Sequence, residues 1–128
     1  MSTISLIVRV AIVGSRDYPN LEEVREYVMS LPDDTVVVTG GARGVDKTAE
    51  VAARERGLKV VVHEAEWNKY GKAAGPMRNR VVVEDCDKLV AFWDEVTPGT
   101  KNVISQASKA GKLEKVFRCS NTKQGSLF

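Results

Sequence analysis

The chain has 128 residues, 43% of them apolar and 28% charged, with a formal net charge of +2. That length fits one domain with a core of its own, and the near-balance of 19 basic against 17 acidic residues excludes a global electrostatic drive toward DNA or anionic membrane. Cys86 and Cys119 show neither CxxC nor metal-ligand spacing, so reduced thiols and no metal site are expected. The apolar run 4–13 is interrupted by Arg9, is followed by no small-residue cleavage site and is far too short to span a bilayer. A cytoplasmic protein with no membrane partner is expected.

In chain order, residues 8–13 form a nearly continuous apolar run ending at Gly14, the pattern of a central parallel strand buried on both faces. Asn20 is placed to cap a helix carrying Leu21, Val24, Val28 and Leu31 at helical spacing, stopped by Pro32-Asp33-Asp34. Residues 35–39 are a second β-branched run. The next helix spans about 44–56 with Val45, Ala49, Ala52 and Ala53 inward, and Gly57 ends it. Residues 58–63 read as a third strand, 64–72 as a polar loop, 73–84 as a helix and 88–93 as a fourth strand. Pro98-Gly99 opens a helix with Val103, Ile104 and Ala107 that ends near Gly111, and 113–118 is the last strand. This alternation predicts an α/β, Rossmann-like parallel sheet of about five strands with helices on both faces. The domain is expected over 1–118, followed by a flexible polar tail, 119–128.

In such sheets ligands bind beyond the carboxyl ends of the strands, so the residues just after each strand carry the function. After strand one stand Gly14, Ser15 and Arg16: a glycine that admits backbone close to a ligand, a hydroxyl, and a planar fork matched to phosphate. After strand two stand Gly40, Gly41, Ala42, Arg43 and Gly44, then Asp46 in the first helical turn. This glycine-rich strand-to-helix junction turns free N–H groups and a positive helix end toward one point. The spacing is neither GxGxxG nor a P-loop. Asp46 is suited to stabilising the helix dipole, shaping the loop or holding a ribose hydroxyl. After strand three, Trp67 and Tyr70 offer rings for packing or for stacking on a base; Gly75, Arg78 and Asn79 follow early in a helix. After strand four, Asp94 and Glu95 precede Gly99-Thr100, a second anion-friendly helix start. Two such N-termini on one edge make phosphate binding the economical reading. His63, the single histidine, is expected to be structural.

Taken together, Gly14-Ser15-Arg16, Thr39-Gly40-Gly41-Ala42-Arg43-Gly44-Val45-Asp46, Trp67, Ala74-Gly75-Pro76 with Arg78-Asn79, and Gly99-Thr100 resemble the SLOG superfamily. That superfamily unites the Rossmann domain of the Smf/DNA-processing-protein-A group with the lonely-guy phosphoribohydrolases; the chain is most similar to the small YspA/YpsA-related group. The resemblance covers about 8–117 and implies a Rossmannoid sheet, a nucleotide-derived ligand in place of any certain cofactor, and a homo-oligomer. Lonely-guy enzymes hydrolyse an N-glycosidic bond with a PGGxGTxxE motif and an arginine. Here the glycine pair is reduced and Val103 stands where the glutamate would be, so the resemblance supplies a place for Arg78 but no acid.

The tail ends Gln124-Gly125-Ser126-Leu127-Phe128. It resembles the short peptide by which proteins dock on the bacterial β sliding clamp, with Gln124, Leu127 and Phe128 as the anchoring residues. Three readings follow. The first is a sensor or sequestering module for a small nucleotide-derived ligand. The second is a nucleotide-processing hydrolase with Asp46, Arg78 and Asp94 as catalytic candidates. The third is a DNA-metabolism accessory that binds nucleic acid and docks on the clamp.

Overall fold

The structure, a computed structural model, describes residues 7–119. Gln124, Leu127 and Phe128 lie outside the described residues. Five parallel strands, β1 (Arg9–Gly14), β2 (Val36–Thr39), β3 (Lys59–Val62), β4 (Lys88–Trp93) and β5 (Leu113–Arg118), form one sheet in the order β3-β2-β1-β4-β5. The three central strands are buried on both faces, which is why their sequences run apolar without alternation. Helices α1 (Leu21–Met29) and α2 (Val45–Glu55) cover one face, where Val24, Val28, Ala49, Ala52 and Ala53 pack against Val10, Ile12, Val37 and Phe92. Helices α4 (Ala74–Glu84) and α5 (Pro98–Lys109) cover the other, where Val82, Val83, Val103 and Ala107 meet Ala11, Val13, Val38 and Ala91.

The local signals act as their chemistry requires. The Asn20 side chain accepts from the Glu23 N–H at 3.3 Å and caps α1. Gly57, at φ 77°, follows the C-cap of α2. Helix α1 ends at Met29, ahead of the proline, and Leu31 lies buried beyond it in the turn. The segment 64–72, expected as loop, instead contains a one-turn helix, α3 (Trp67–Tyr70), running into a 3-10 turn, Gly71–Ala73. Neither buries a residue, so no apolar period marks them in the sequence. Among the described residues no helix is long and apolar enough to cross a membrane.

The chain winds from β1 outward through β2 to β3, then returns to place β4 on the far side of β1. The direction of winding therefore reverses between β1 and β4. The loops that leave their carboxyl ends diverge over opposite faces and open a crevice there.

Candidate functional site

A cavity of about 620 Å³ opens at that reversal, within the ~300–1,000 Å³ of small-molecule sites. Its floor is Val13, Gly14 and Ala42. One wall is Pro98, Gly99, Thr100, Asn102 and Val103 of α5, and the other is Gly75, Pro76, Arg78 and Asn79 of α4, with Trp67 of α3 and Lys72 at the mouth. A smaller cavity of about 110 Å³ adjoins it, sharing Arg16, Ala42, Trp67 and Arg78 and adding Gly40, Gly41, Glu64 and Ala65.

The β2–α2 loop is shaped from inside by Asp46. Its carboxylate accepts from the Gly14 N–H at 3.0 Å, the Gly40 N–H at 3.1 Å and, more weakly, the Ala42 N–H at 3.4 Å. One side chain thus ties the ends of two strands to the first turn of α2. Burial pushes the Asp46 carboxyl up to about 6, with Arg78 and the three N–H groups pulling the other way. Gly44 caps α2 at φ 80°, and a Cβ there would fall on the carbonyl of Arg16. The glycine lets the two loops touch backbone to backbone.

Arg78 donates from Nη1 to the Gly40 carbonyl and from Nε to Asn79 Oδ1 at 3.2 Å. Burial lowers its pKa from the ordinary guanidinium value; Asp46 opposes that shift and Arg16 adds to it. Asn79, buried, donates to the Gly99 carbonyl at 3.2 Å and to Asn102 Oδ1 at 2.9 Å, so α4 fixes the first turn of α5. Arg16 reaches over the Trp67 ring at 5.9 Å from its centroid.

Ser15 is fully buried and acts as a staple. Its Oγ accepts from the Asp94 N–H at 3.1 Å and lies 3.1 Å from Thr100 Oγ1. Asp94 Oδ1 accepts from the Val96 and Thr97 N–H groups at 3.0 and 2.8 Å, and Oδ2 from the Thr97 hydroxyl at 2.7 Å. Burial opposes ionisation of Asp94, but these bonds to Thr97, Val96 and Ser15 win and hold its carboxyl below the usual range. Thr97 is the N-cap of α5, yet its hydroxyl is spent on Asp94, and no side chain caps the helix. Gly99 and Thr100, in the uncapped first turn of α5, line the cavity, and a helix start of that kind favours an anion.

The structure brings together Gly14, Arg16, Ala42, Asp46, Gly75, Arg78, Asn79, Gly99 and Thr100 around the larger cavity, and Gly40 and Gly41 around the smaller. Ser15 and Gly44 sit behind the wall as supports. Arg43 lines neither cavity; it lies exposed and pairs with Asp17 at 3.1 Å. Lys72, Thr97, Asn102 and Glu64 are lining residues that the sequence reading did not select. Glu64 was findable as a polar residue just past the end of a strand, whereas Lys72 and Asn102 carry no local signal. His63 sits apart, its Nε2 2.7 Å from Asp85 Oδ2, with Arg9 on the other Asp85 oxygen at 2.7 Å.

Known proteins are similar to this chain in sequence and, separately, in fold. The family model described as the YspA, cpYpsA-related SLOG family matches residues 8–70. The chain is 36% identical over 113 residues to the Gene 61 protein of Mycobacterium phage D29, covering 80% of this chain and 90% of that protein. Among solved structures it is similar to DNA processing protein A (DprA) from Streptococcus pneumoniae, with a TM-score of 0.74 and 21% identity, over 92% of this chain but only 52% of that one. It is also similar to DNA processing protein A from Helicobacter pylori, a structure titled for its single-stranded DNA binding mode, with a TM-score of 0.65 and 22% identity over 93% of this chain and 68% of the other. At those identities the two structures establish the Rossmann-like α/β architecture. The family model and the phage relative establish the lineage, and the chain belongs to the YspA, cpYpsA-related SLOG family.

Proposed function

We propose that this chain binds a phosphate-bearing nucleotide or nucleotide derivative at the carboxyl edge of its sheet, as a sensor or sequestering module. The observation that carries this reading is the convergence of Arg16, Lys72 and Arg78 with the uncapped start of α5 on one cavity that also has an apolar floor and an exposed indole. Cations and free N–H groups suit the phosphate; the apolar floor and Trp67 suit a base. Hydrolysis is the weaker reading. Asp46 and Asp94, the acids expected to act on a substrate, spend their carboxylates on backbone N–H groups and on the Thr97 hydroxyl.

The test is a thermal-shift panel of nucleotides, sugar nucleotides, ADP-ribose derivatives, cyclic dinucleotides and short single-stranded DNA. A ligand at about 100 times its Kd stabilises by ~2.7 kcal/mol. Arg16→Ala removes only a ring contact and leaves the core intact, so the variant is expected to fold normally and to lose affinity at least about tenfold, the worth of a charge-assisted hydrogen bond. Undiminished affinity in Arg16→Ala, or no shift with any phosphate ester, rejects the reading.

One observation favours a second reading, in which the ligand is single-stranded nucleic acid. Trp67 and Tyr70 stand exposed beside Arg16 and Lys69, with Lys69 Nζ 5.0 Å from the Tyr70 ring centroid, an arrangement suited to stacked bases and backbone phosphates. The same panel separates the two, since that reading requires a shift with DNA that weakens steeply as salt is raised.

A further inference from the structure

The carboxylates in and behind the walls of the two cavities differ in what they have left to offer. Asp46 is occupied by three backbone N–H groups and Asp94 by Val96 and Thr97. Glu64, the second residue past the end of β3, makes no side-chain hydrogen bond or ion pair among the described residues. It lines the smaller cavity together with Arg16 and Arg78.

The phosphate-loop backbone sets the path of that side chain. Gly41 adopts φ 78°, and a Cβ on it would lie 2.9 Å from Glu64 Cγ and 2.9 Å from Val62 Cγ1. The absence of a side chain at 41 lets the stem of Glu64 lie against the loop where Glu64 joins the cavity lining. The result is a small polar recess lined by two arginines and by a glutamate that has no partner among the described residues.

At about 110 Å³ the recess is several times smaller than the adjoining cavity of about 620 Å³, so the larger cavity takes the base and a smaller polar part of the ligand falls to the recess. Its mixed charge selects the chemistry further. A second phosphate placed there would meet the Glu64 carboxylate as a like charge. A neutral vicinal diol donates both hydroxyl protons to the carboxylate and keeps oxygen lone pairs for the arginines.

We infer that the ligand is a ribonucleotide type, its ribose cis-diol held by Glu64 in the small recess and its phosphate by Arg16 and Arg78 at the boundary with the larger cavity. The inference rests on the nucleotide reading above and adds to it a sugar specificity and the residue that sets it. Asp46, which the sequence offers for a ribose hydroxyl, is the support of the loop instead.

The experiment is calorimetric titration of the full chain with AMP, 2′-deoxy-AMP and inorganic phosphate, repeated with GMP, CMP, UMP and their 2′-deoxy forms, on wild type, Glu64→Ala and Glu64→Gln. Glu64 is exposed, so both variants are expected to fold, which circular dichroism checks. The expected result is a ribo-over-deoxyribo preference of about tenfold or more in wild type, reduced in Glu64→Gln and abolished in Glu64→Ala, with the 2′-deoxynucleotide, which keeps only its 3′-hydroxyl for Glu64, losing less affinity than the ribonucleotide in both. Equal affinity for the two sugars in wild type, or a preference that survives Glu64→Ala, overturns this inference and leaves the nucleotide site standing. Failure of every nucleotide and of phosphate to bind overturns both.

Discussion

Single side chains hold this site in shape by bridging points far apart in the sequence. Asp46 reaches Gly14, 32 residues earlier, and Ser15 reaches Asp94 and Thr100, 79 and 85 residues later. The fixed loop geometry therefore depends on a few buried polar atoms, each expensive to leave without a partner. Asp46→Asn keeps the shape of the side chain but turns an N–H toward an N–H. It is expected to cost about 2 kcal/mol in urea unfolding and to weaken phosphate-ester binding together with stability. A fully stable variant with wild-type affinity counts against Asp46 as the loop's support. The identities of these residues were visible in the sequence as polar positions after strands. Their partners were not, because a hydrogen bond between positions 15 and 94 exists only once β1 and β4 are neighbours.

At the scale of elements, the helices are anchored unequally. The carboxyl end of α1 is held by Arg56, at the end of α2, whose Nη1 donates to the carbonyls of Val28, Met29 and Leu31 at 3.2, 3.1 and 2.6 Å while Nη2 meets Asp33 at 2.6 Å. Its side chain is only 16% exposed. Arg56→Ala frees three carbonyls at once and is expected to lower stability by about 2 kcal/mol, with Arg56→Lys intermediate because an ammonium lacks the fork. Urea midpoints of the three proteins check this. Helix α3 and the 3-10 turn after it are the opposite case: they bury nothing. Residues 64–72 therefore read as loop, while helices α1, α2 and α5, each with an inward apolar face, were legible from their spacing. Helix α5 was also legible at its start, since Pro98 fits its first turn, where a missing N–H costs nothing.

For the whole molecule, acid–base linkage sums groups that pull in opposite directions. Asp46 is raised from 3.8 to about 6 in the folded state, so its contribution to stability is fully present below 3.8 and is lost as pH rises through about 6. Asp85 and Asp94 are lowered from 3.8: burial opposes, but His63 and Arg9 prevail at the first, and Thr97, Val96 and Ser15 at the second. Their contribution is present above 3.8 and is lost as pH falls through their depressed folded values. Stability is thus expected to drop steeply below about pH 4 and to carry a shallower decline between about 4 and 6 as pH rises. Urea unfolding across pH 2.5–8 checks this, and in Asp46→Asn the decline between 4 and 6 is expected to vanish while the acid limb remains. A decline that persists in that variant assigns it to another group.

The sequence by itself determined the strands, the covered faces and the glycine-rich junction after β2, because apolar period, cap residues and glycine act through the backbone within a few residues. The resemblance it carries fixed the family on the same local grounds. Only the tertiary structure decided which of those loops meet. The order β3-β2-β1-β4-β5 sets α4 and α5 on one face and makes a cavity wall of Asn79 and Asn102. It turns Arg43 to the solvent while Arg78 reaches Gly40, and it brings Glu64 and two arginines to the lining of one recess. Contacts of that kind are set by the placement of whole strands, information that no short stretch of the chain contains.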